Sequence, residues 1–383
     1  MSSTFTPRIR LGMIGGGRDA FIGAVHRYAA RLDDRFEFVA GALSSSAEKS
    51  RASGADLGLD DSRCYDDFTE MAKREARLKL GIEAVAIVTP NHMHAPAAHA
   101  FLKRGIHVIC DKPLTSTLKD ARALAKTAEK SAALFILTHN YTAYPMIRQA
   151  RAMIATGELG AIRVVQAQYA QDWLSADIES DGQKQAGWRT DPAKSGGGGA
   201  IGDIGTHAFN LAGFVTGLNA QELFADLHSF VSGRRLDDNA HIMMRYEGGA
   251  KGMFWASQVA PGNENNLVLR IYGEKAGLEW HQENPNQLWF TRLGEPKQLI
   301  TRGGAGAGPA AAQVTRVPGG HPEGYLEGFA TIYVEAAKAI EAHRAGQPMP
   351  DDIAPQGIAE GLRGMEFIDG CLRSSKRQGW VKF

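Results

Sequence analysis

Cysteine is scarce in this chain: three among 383 residues, at Cys64, Cys110 and Cys371, far apart in sequence. That scarcity excludes a disulfide framework, and no C-x-x-C pattern is there to hold a metal. Long apolar runs are missing as well, so no segment reads as a bilayer span. The opening MSSTFTPRIRLGMIGGG lacks the apolar core of a secretory signal. Excess charge of either sign is also missing. With 43 basic and 42 acidic residues and a net charge of +1, the composition gives no reason to expect nucleic acid or a membrane surface as partner. A cytoplasmic setting with reduced thiols is the expectation, and Cys110, inside the apolar run HVIC, reads as a buried thiol.

What is present is core-forming sequence. The chain is 44% hydrophobic and 22% charged, so it can bury large cores. Its length exceeds what one core usually holds, which predicts two domains. The pattern places them at 1–140 and 141–383, with the C-terminal helices able to pack back on the first.

In the first third, the apolar runs IRLGMIG, FEFVAGAL, AVAIVTP, IHVICDK and LFILTHN alternate with helix-length segments. Runs of strand length with helices between them predict a parallel sheet covered on both faces, an α/β doubly wound fold. Ligands of such sheets sit beyond the carboxyl ends of the strands. Those ends are Gly15 to Gly17, Ser44, Pro90-Asn91, Asp111-Lys112-Pro113 and His139-Asn140, all polar residues, glycine or proline.

GMIGGGRDAFIGAVH is a variant dinucleotide turn, with Gly15, Gly16 and Gly17 after the first strand and a late third glycine at Gly23. Glycine permits the tight turn and lets backbone N–H groups approach a pyrophosphate. The cofactor expected is therefore NAD or NADP. The second strand ends ALSSSAEK, with no acid before Glu48. Ser44 stands where a ribose-binding carboxylate is usual, and Lys49 follows, which leans toward NADP. The other reading is a serine helix cap with a solvated lysine.

GDIGTHAFN, after the run SGGGGAI, places Asp203 and His207 four apart. At about 100° per residue, Ile201, Ile204, Ala208, Leu211 and Val215 form an apolar stripe. Asp203, His207 and Asn210 line its margin, which suits a cleft wall. Histidine is the side chain whose ordinary pKa lets it move a proton in either direction near neutrality. NHMHAPAAH holds His92, His94 and His99, whose spacing suits a metal poorly, so no metal is expected.

The glycine turn followed by His26, the long stretch VTPNHMHAPAAHAFLKRGIHVICDKPL, and GGGGAIGDIGTHAFN together resemble the Gfo/Idh/MocA group of oxidoreductases, over about Arg8 to Phe367. The resemblance implies a Rossmann domain followed by an α+β domain on a large, mostly antiparallel open sheet. It implies NAD(P)-dependent hydride transfer on sugars, inositols or related polyols. Lys112 is then the catalytic lysine, and Asp203 and His207 its D-x-x-x-H partners. Cofactor contacts are expected from Gly15, Gly16, Gly17, Ser44, Lys49, Pro90, Asn91, His94, Asp111, Lys112, Asn140, Trp188 and Arg189. Substrate contacts are expected from Lys112, Tyr141, Asp203, His207, Asn210, His321 and Tyr325. The sequence departs from the group in reading Asp111-Lys112-Pro113 where E-K-P is usual, and Asn210 where an acid is frequent. A carbonyl or cyclic-diol reductase and a nucleotide-sensing regulator that lost turnover remain as alternatives.

Beyond about Tyr141, IRVVQAQYAQDWL, ELFADLHSFV, NAHIMMRYEGGAKGMFWASQVA, NNLVLRIYGEKAGLEWHQE and NQLWFTRL show strand alternation, with YEGGAK and YGEKAG as hairpin turns. One sheet face is expected to stay open, and the resemblance implies a homodimer or homotetramer through it. APGNEN offers Asn263, Glu264 and Asn265 as a hydroxyl-binding cluster or a plain turn. The Gly/Ala-rich stretch 303–312 reads as a mobile loop.

Overall fold

The computed structural model describes residues 7–383, and its contacts divide the chain into two compact units. The first comprises the chain up to Thr115, Lys119–Thr138 and Tyr325–Leu362. Its sheet has five parallel strands: β1 (Ile9–Gly15), β2 (Phe36–Ala42), β3 (Ala84–Val88), β4 (His107–Cys110) and β5 (Phe135–Leu137). Their order is β2-β1-β3-β4-β5. The strand order reverses between β1 and β3, so the crevice at that switch point opens at Gly15 and Val88. Every residue of β3 is buried, which is why its sequence is apolar without alternation.

The crossovers are α1 (Phe21–Leu32), α2 (Ala47–Asp56), α3 (Phe68–Glu75), α4 (His94–Leu102) and α5 (Leu118–Glu129). The short helix α3 has little signature in the sequence because FTEMAKRE is mostly polar. Asp67 defines its start by accepting the N–H groups of Thr69 and Glu70. The helix Tyr325–Arg344 clusters with this unit and packs along α1. Arg35–Glu341 and Arg344–Glu83 ion pairs tie it down at 2.5 Å each. Cys110 is fully buried in β4, and burial pushes its thiol well above the ordinary range.

The second unit comprises Ser116–Leu118, His139–Gly324 and Arg363–Phe383. Its strands are β6 (Ile162–Ala170), β7 (Ala220–His228), β8 (Asn239–Tyr246), β9 (Lys251–Ser257), β10 (Asn266–Gly273), β11 (Ala276–His281), β12 (Gln287–Arg292), β13 (Gln298–Thr301) and β14 (Val381–Lys382). They form one sheet in the order β13-β12-β11-β10-β6-β9-β8-β7-β14. β6 and β9 pair in parallel, and every other pairing is antiparallel. The turns after Tyr246 and Gly273 close hairpins as the sequence predicts. The short edge strands β13 and β14 leave no mark in the sequence pattern, since two to four residues carry no alternation to detect.

Helices α6 (Pro145–Ala155), α7 (Lys184–Arg189), α8 (Pro192–Ser195) and α9 (Thr206–Thr216) belong to this unit. α6 and α9 cover one face of the sheet, burying Val165, Ala167, Leu269, Ile271, Leu278, Trp280 and Phe290. The opposite face carries a registered row: Phe224, Met243, Met253, Gln166, Arg270, Glu279, Trp289 and Leu299. Met243 and Met253 are about half exposed there, at 49% and 53%. The Gly/Ala-rich stretch ends in a short helix, Pro309–Ala312, and the Gly308 N–H donates to Gln149 Oε1 at 2.7 Å. Where the sequence suggested only a loop, this segment is docked on α6.

Candidate functional site

In the first unit the site begins at the glycine turn. Gly15 and Gly16 have φ of 73° and 72°, a conformation that side chains rarely adopt. A Cβ on Gly15 would lie 2.7 Å from the Val88 carbonyl oxygen, and one on Gly17 2.6 Å from Ser53 Oγ. Gly23 lies directly on Gly16, so a Cβ there would overlap the Gly16 backbone. The late third glycine thus does the packing work of the usual third position, letting α1 close on the turn. Arg27 donates to the Gly16 carbonyl at 2.6 Å. Arg18, which the sequence analysis did not single out, pairs with Asp56 at 2.6 Å.

At the end of β2, Ser44 Oγ accepts the Ser46 N–H, and Ser46 caps α2 by accepting the Lys49 N–H. Lys49 itself is exposed. The cap residue is therefore Ser46, and Ser44 shapes the turn before it.

At the end of β3, Thr89 Oγ1 is buried and has no hydrogen-bond partner. Pro90 precedes a single 3-10 turn, Asn91–Met93, that leads into α4. His94 opens α4 with Nδ1 2.8 Å from the Pro113 carbonyl and Nε2 2.9 Å from the Thr89 carbonyl. Its ring nitrogens thus face main chain. Burial lowers its pKa, while the Asp111 carboxylate works in the opposite direction. Asp111 Oδ1 accepts the Lys112 N–H at 2.9 Å and the Thr138 hydroxyl at 3.1 Å. That shapes the bend on which half-buried Lys112 stands. On the inner side of α1, His26 is fully buried with Nδ1 2.9 Å from the Tyr333 hydroxyl. Tyr325 also lies in this unit, stacked on Phe21 with ring centroids 6.3 Å apart.

In the second unit the D-x-x-x-H segment is not a plain α-helix. Ile201–Gly205 forms a π-helical turn, and α9 proper starts at Thr206. The predicted stripe nonetheless holds: Ile201, Ile204, Ala208, Leu211 and Val215 are all buried. Asp203 and Asn210 are half-buried at its margin, and His207 is 7% exposed. Asp203 Oδ2 accepts from Arg189 Nε at 3.2 Å and from Gln258 Nε2 at 3.0 Å. Arg189 lies over the Trp188 ring at 4.3 Å, and it donates to Gln185 Oε1 at 2.7 Å. The Trp188-Arg189 pair, expected to meet cofactor, is thus built into α7 with Arg189 on Asp203.

His207 sits in an aromatic box. Its ring centroid is 4.9 Å from that of Tyr141, 5.7 Å from His139 and 6.0 Å from Tyr169. The Tyr141 and Tyr169 hydroxyls are 2.6 Å apart, and Tyr169 donates to Asn265 Oδ1 at 2.7 Å. A phenol has one proton, so Tyr141 is the donor to Tyr169, and a polarised chain runs Tyr141 to Tyr169 to Asn265. Burial raises the Tyr141 pKa, and that chain partly opposes the rise. Gln171 joins at Asn265 Oδ1, 2.8 Å away. Asn140 is 2% exposed, and its Nδ2 has no hydrogen-bond partner.

Tyr169, Gln171 and Gln258 carry no signal in the sequence. Each ends a strand or follows one, where alternation stops being informative. Asn265 came within the cluster read from APGNEN. His321 is exposed on a segment fixed by Arg302, whose guanidinium donates to the carbonyls of Val317, Pro318 and His321. Arg302 also pairs with the buried Glu323 at 3.1 Å. Among the described residues no helix is long and apolar enough to cross a membrane.

Residues 9–139 match the family model described as oxidoreductase family, NAD-binding Rossmann fold. Residues 147–279 match the model of the GFO/IDH/MocA C-terminal domain. A crystal structure of an oxidoreductase from Sinorhizobium meliloti is 62% identical with a TM-score of 0.90, covering 98% of this chain and 100% of that one. An inositol dehydrogenase homolog from Azotobacter vinelandii, solved with NADH and myo-inositol, is 37% identical with a TM-score of 0.90, covering 99% and 98%. Levoglucosan dehydrogenase of Pseudarthrobacter phenanthrenivorans is 27% identical over 97% of each chain. With a glycine turn at the β1/β3 switch point, a lysine after β4 and a mixed nine-stranded sheet behind the D-x-x-x-H segment, the chain belongs to the Gfo/Idh/MocA family of NAD-binding oxidoreductases.

Proposed function

We propose that this enzyme moves a hydride between a nicotinamide cofactor and the secondary alcohol or ketone of a sugar, inositol or related polyol. The observation that carries the reading is His207, nearly buried among Tyr141, Tyr169 and His139, with Asp203 in the turn before it. A nearly buried imidazole ringed by phenols whose chain ends in amides suits a ligand rich in hydroxyls. The inositol and levoglucosan relatives support that substrate class.

Oxidising a secondary alcohol removes a hydride and a proton. The nicotinamide, when bound, supplies the two-electron acceptor. The site residues fit a dinucleotide: Gly15, Gly16 and Gly17 leave no room for side chains where a pyrophosphate would approach, and Thr89 Oγ1 lacks a partner beside them. Pro90, Asn91 and Asp111 complete that rim. In this reading His207 accepts the hydroxyl proton as general base, and the Lys112 ammonium stabilises the developing alkoxide. Asp203, anchored by Arg189 and Gln258, orients the imidazole or binds a neighbouring hydroxyl. Asn140, Tyr141, Asn210, His321 and Tyr325 contribute substrate or cofactor contacts.

Ser44 in place of an acid removes repulsion toward a 2'-phosphate, and exposed Lys49 offers positive charge, so the reading leans to NADP over NAD. The relatives solved with NAD or NADH favour the opposite choice. Separate titrations with NADH and NADPH decide it, and clearly tighter NADH binding removes the lean. The exposed Met243 and Met253 on the open sheet face support self-association as a homodimer or homotetramer. A cytoplasmic enzyme fits the three unpaired thiols.

The test is a panel of sugars, inositols and their keto forms read by nicotinamide absorbance. On the best substrate, Lys112→Ala and His207→Ala are each expected to lose most turnover and to keep cofactor binding. Near wild-type turnover in either variant refutes that residue's role. Cofactor binding with no turnover on any substrate favours the regulator alternative.

A further inference from the structure

Three successive main-chain N–H groups converge on one residue. Gly199 donates to Asp237 Oδ1 at 2.7 Å, Ala200 to the Asp237 carbonyl at 2.7 Å, and Ile201 to Asp237 Oδ2 at 2.8 Å. These are donors at the start of the helical segment, the ones a helix leaves unsatisfied. Gly199 has no space for a side chain, because a Cβ there would overlap the Asp237 carbonyl. The glycine run before the D-x-x-x-H segment therefore lets the backbone lie flat on Asp237. The next turn follows directly, with the Asp203 N–H donating to the Gly199 carbonyl at 2.9 Å.

The adjacent residue anchors the Asp203 carboxylate from the other side. The Asp238 carbonyl accepts the Gln258 N–H at 2.8 Å, and Gln258 Nε2 reaches Asp203 Oδ2 at 3.0 Å. Asp238 is fully buried, and its own carboxylate is fixed by the N–H groups of Phe230 and Val231 and by Arg234 at 3.1 Å. Two consecutive residues thus hold both the backbone that carries Asp203 and the side chain that grips it.

We propose that Asp237 is a positioning residue for the Asp203–His207 segment, setting the π-helical turn that carries Asp203 and leads into α9, from which His207 projects. The inference rests on the proposed role of His207. It adds that turnover depends on a residue before β8 that touches neither substrate nor cofactor. A carboxylate accepts two N–H groups at once, whereas a carboxamide presents one oxygen and an N–H₂ that faces the second donor. Asp237→Asn therefore breaks the arrangement at nearly constant volume. Gly199→Ala disturbs the same contact from the opposite side.

The experiment compares wild type, Asp237→Asn, Gly199→Ala and His207→Ala in the full-length enzyme, on the best substrate of the panel. It measures kcat, KM, NADH affinity and hydrogen exchange by mass spectrometry. For the first two variants, kcat is expected to fall at least tenfold, with KM and NADH affinity within threefold. Exchange should speed up over 198–207 while β3 and β10 peptides keep their protection. A kcat within twofold of wild type overturns the proposal, as does exchange that rises equally throughout, which marks a general loss of stability. If His207→Ala is inactive while Asp237→Asn is normal, only the positioning role is lost. If His207→Ala is fully active, the reading of His207 falls and the positioning role with it.

Discussion

His94 Nδ1 stands 2.8 Å from the Pro113 carbonyl oxygen, while Nε2 of the same ring stands 2.9 Å from the Thr89 carbonyl. One imidazole thus joins the segment after β3 to the bend that carries Lys112. A neutral ring has a single N–H, so it satisfies one carbonyl at a time. Burial disfavours the charged form that would satisfy both, and Asp111 favours it. Replacing His94 by Leu removes the one N–H that serves these two carbonyls, and stability is expected to drop by about 1–3 kcal/mol. Turnover should drop with it as the Lys112 bend loosens. His94→Gln, with one carboxamide N–H₂, should recover part of each. Urea unfolding and steady-state kinetics on the three proteins provide the check.

Two buried histidines contribute to the acid response. Burial lowers the pKa of His26 to about 4, and that of His107 to about 4. For His107, the neighbouring His343 and Arg344 add to the effect. The unfolded chain takes up these protons near the ordinary value of about 6.5, the folded one only near 4. Stability from this source is therefore complete above pH 6.5 and is lost as pH falls toward 4. Each group accounts for up to about 3 kcal/mol. Urea midpoints should decline steadily from pH 6.5 to 4.5. In His26→Phe the decline should be shallower by about one proton, although its midpoint at pH 7 is lower, because Tyr333 loses a hydrogen-bond partner.

Gly23 lies on the Gly16 backbone, so Gly23→Ala must push α1 away from the turn. Dinucleotide affinity is expected to fall at least tenfold, with a loss of about 1–3 kcal/mol of stability from overpacking. Gly58→Ala is the control for a glycine substitution in the same unit. Gly58 has open space around it and only a positive φ of 70° to strain. Fluorescence titration with NADH separates the two variants; equal affinity for both would show that the late glycine is not needed at the turn.

Met243 and Met253 pair directly across β8 and β9, and both are about half exposed. If the open sheet face joins copies of the chain, Met243→Lys with Met253→Lys should shift the assembly toward monomer. Repulsion between like charges directly opposite each other adds to the lost apolar contact. Sedimentation velocity at micromolar concentration gives the answer, and an unchanged distribution assigns self-association to another surface.

The legible features are those with a strong local signature. Apolar runs of strand length mark β1 to β5, because parallel strands covered on both faces are mostly apolar, with polar side chains only at Arg10, Glu37 and His107. Gly15 to Gly17, Lys112, Asp203 and His207 stand in motifs whose residue types follow from chemistry. Less legible are partners that meet only through the sheet. Gln258 reaches Asp203 from 55 positions away and Asn265 reaches Tyr169 from 96. No spacing rule links residues so far apart. His94 shows a related limit: a histidine in a motif reads as ligand-facing, whereas here main-chain carbonyls take both ring nitrogens. The Tyr325 helix illustrates a third limit. Its amphipathic pattern shows that it packs, but only α1, some 300 residues earlier, reveals on what.

The wide turn at Ile201–Gly205 has an implication for anyone redesigning this chain. Such a turn holds one residue more than regular α-geometry would. Deleting Gly205 would let the coil relax to ordinary winding, in which one residue fewer completes the same revolution. The segments on either side would keep their directions, and Asp203 and His207 would stand three apart on a common face. A family alignment with a one-residue gap at this point would therefore still pair side chains of the same outlook.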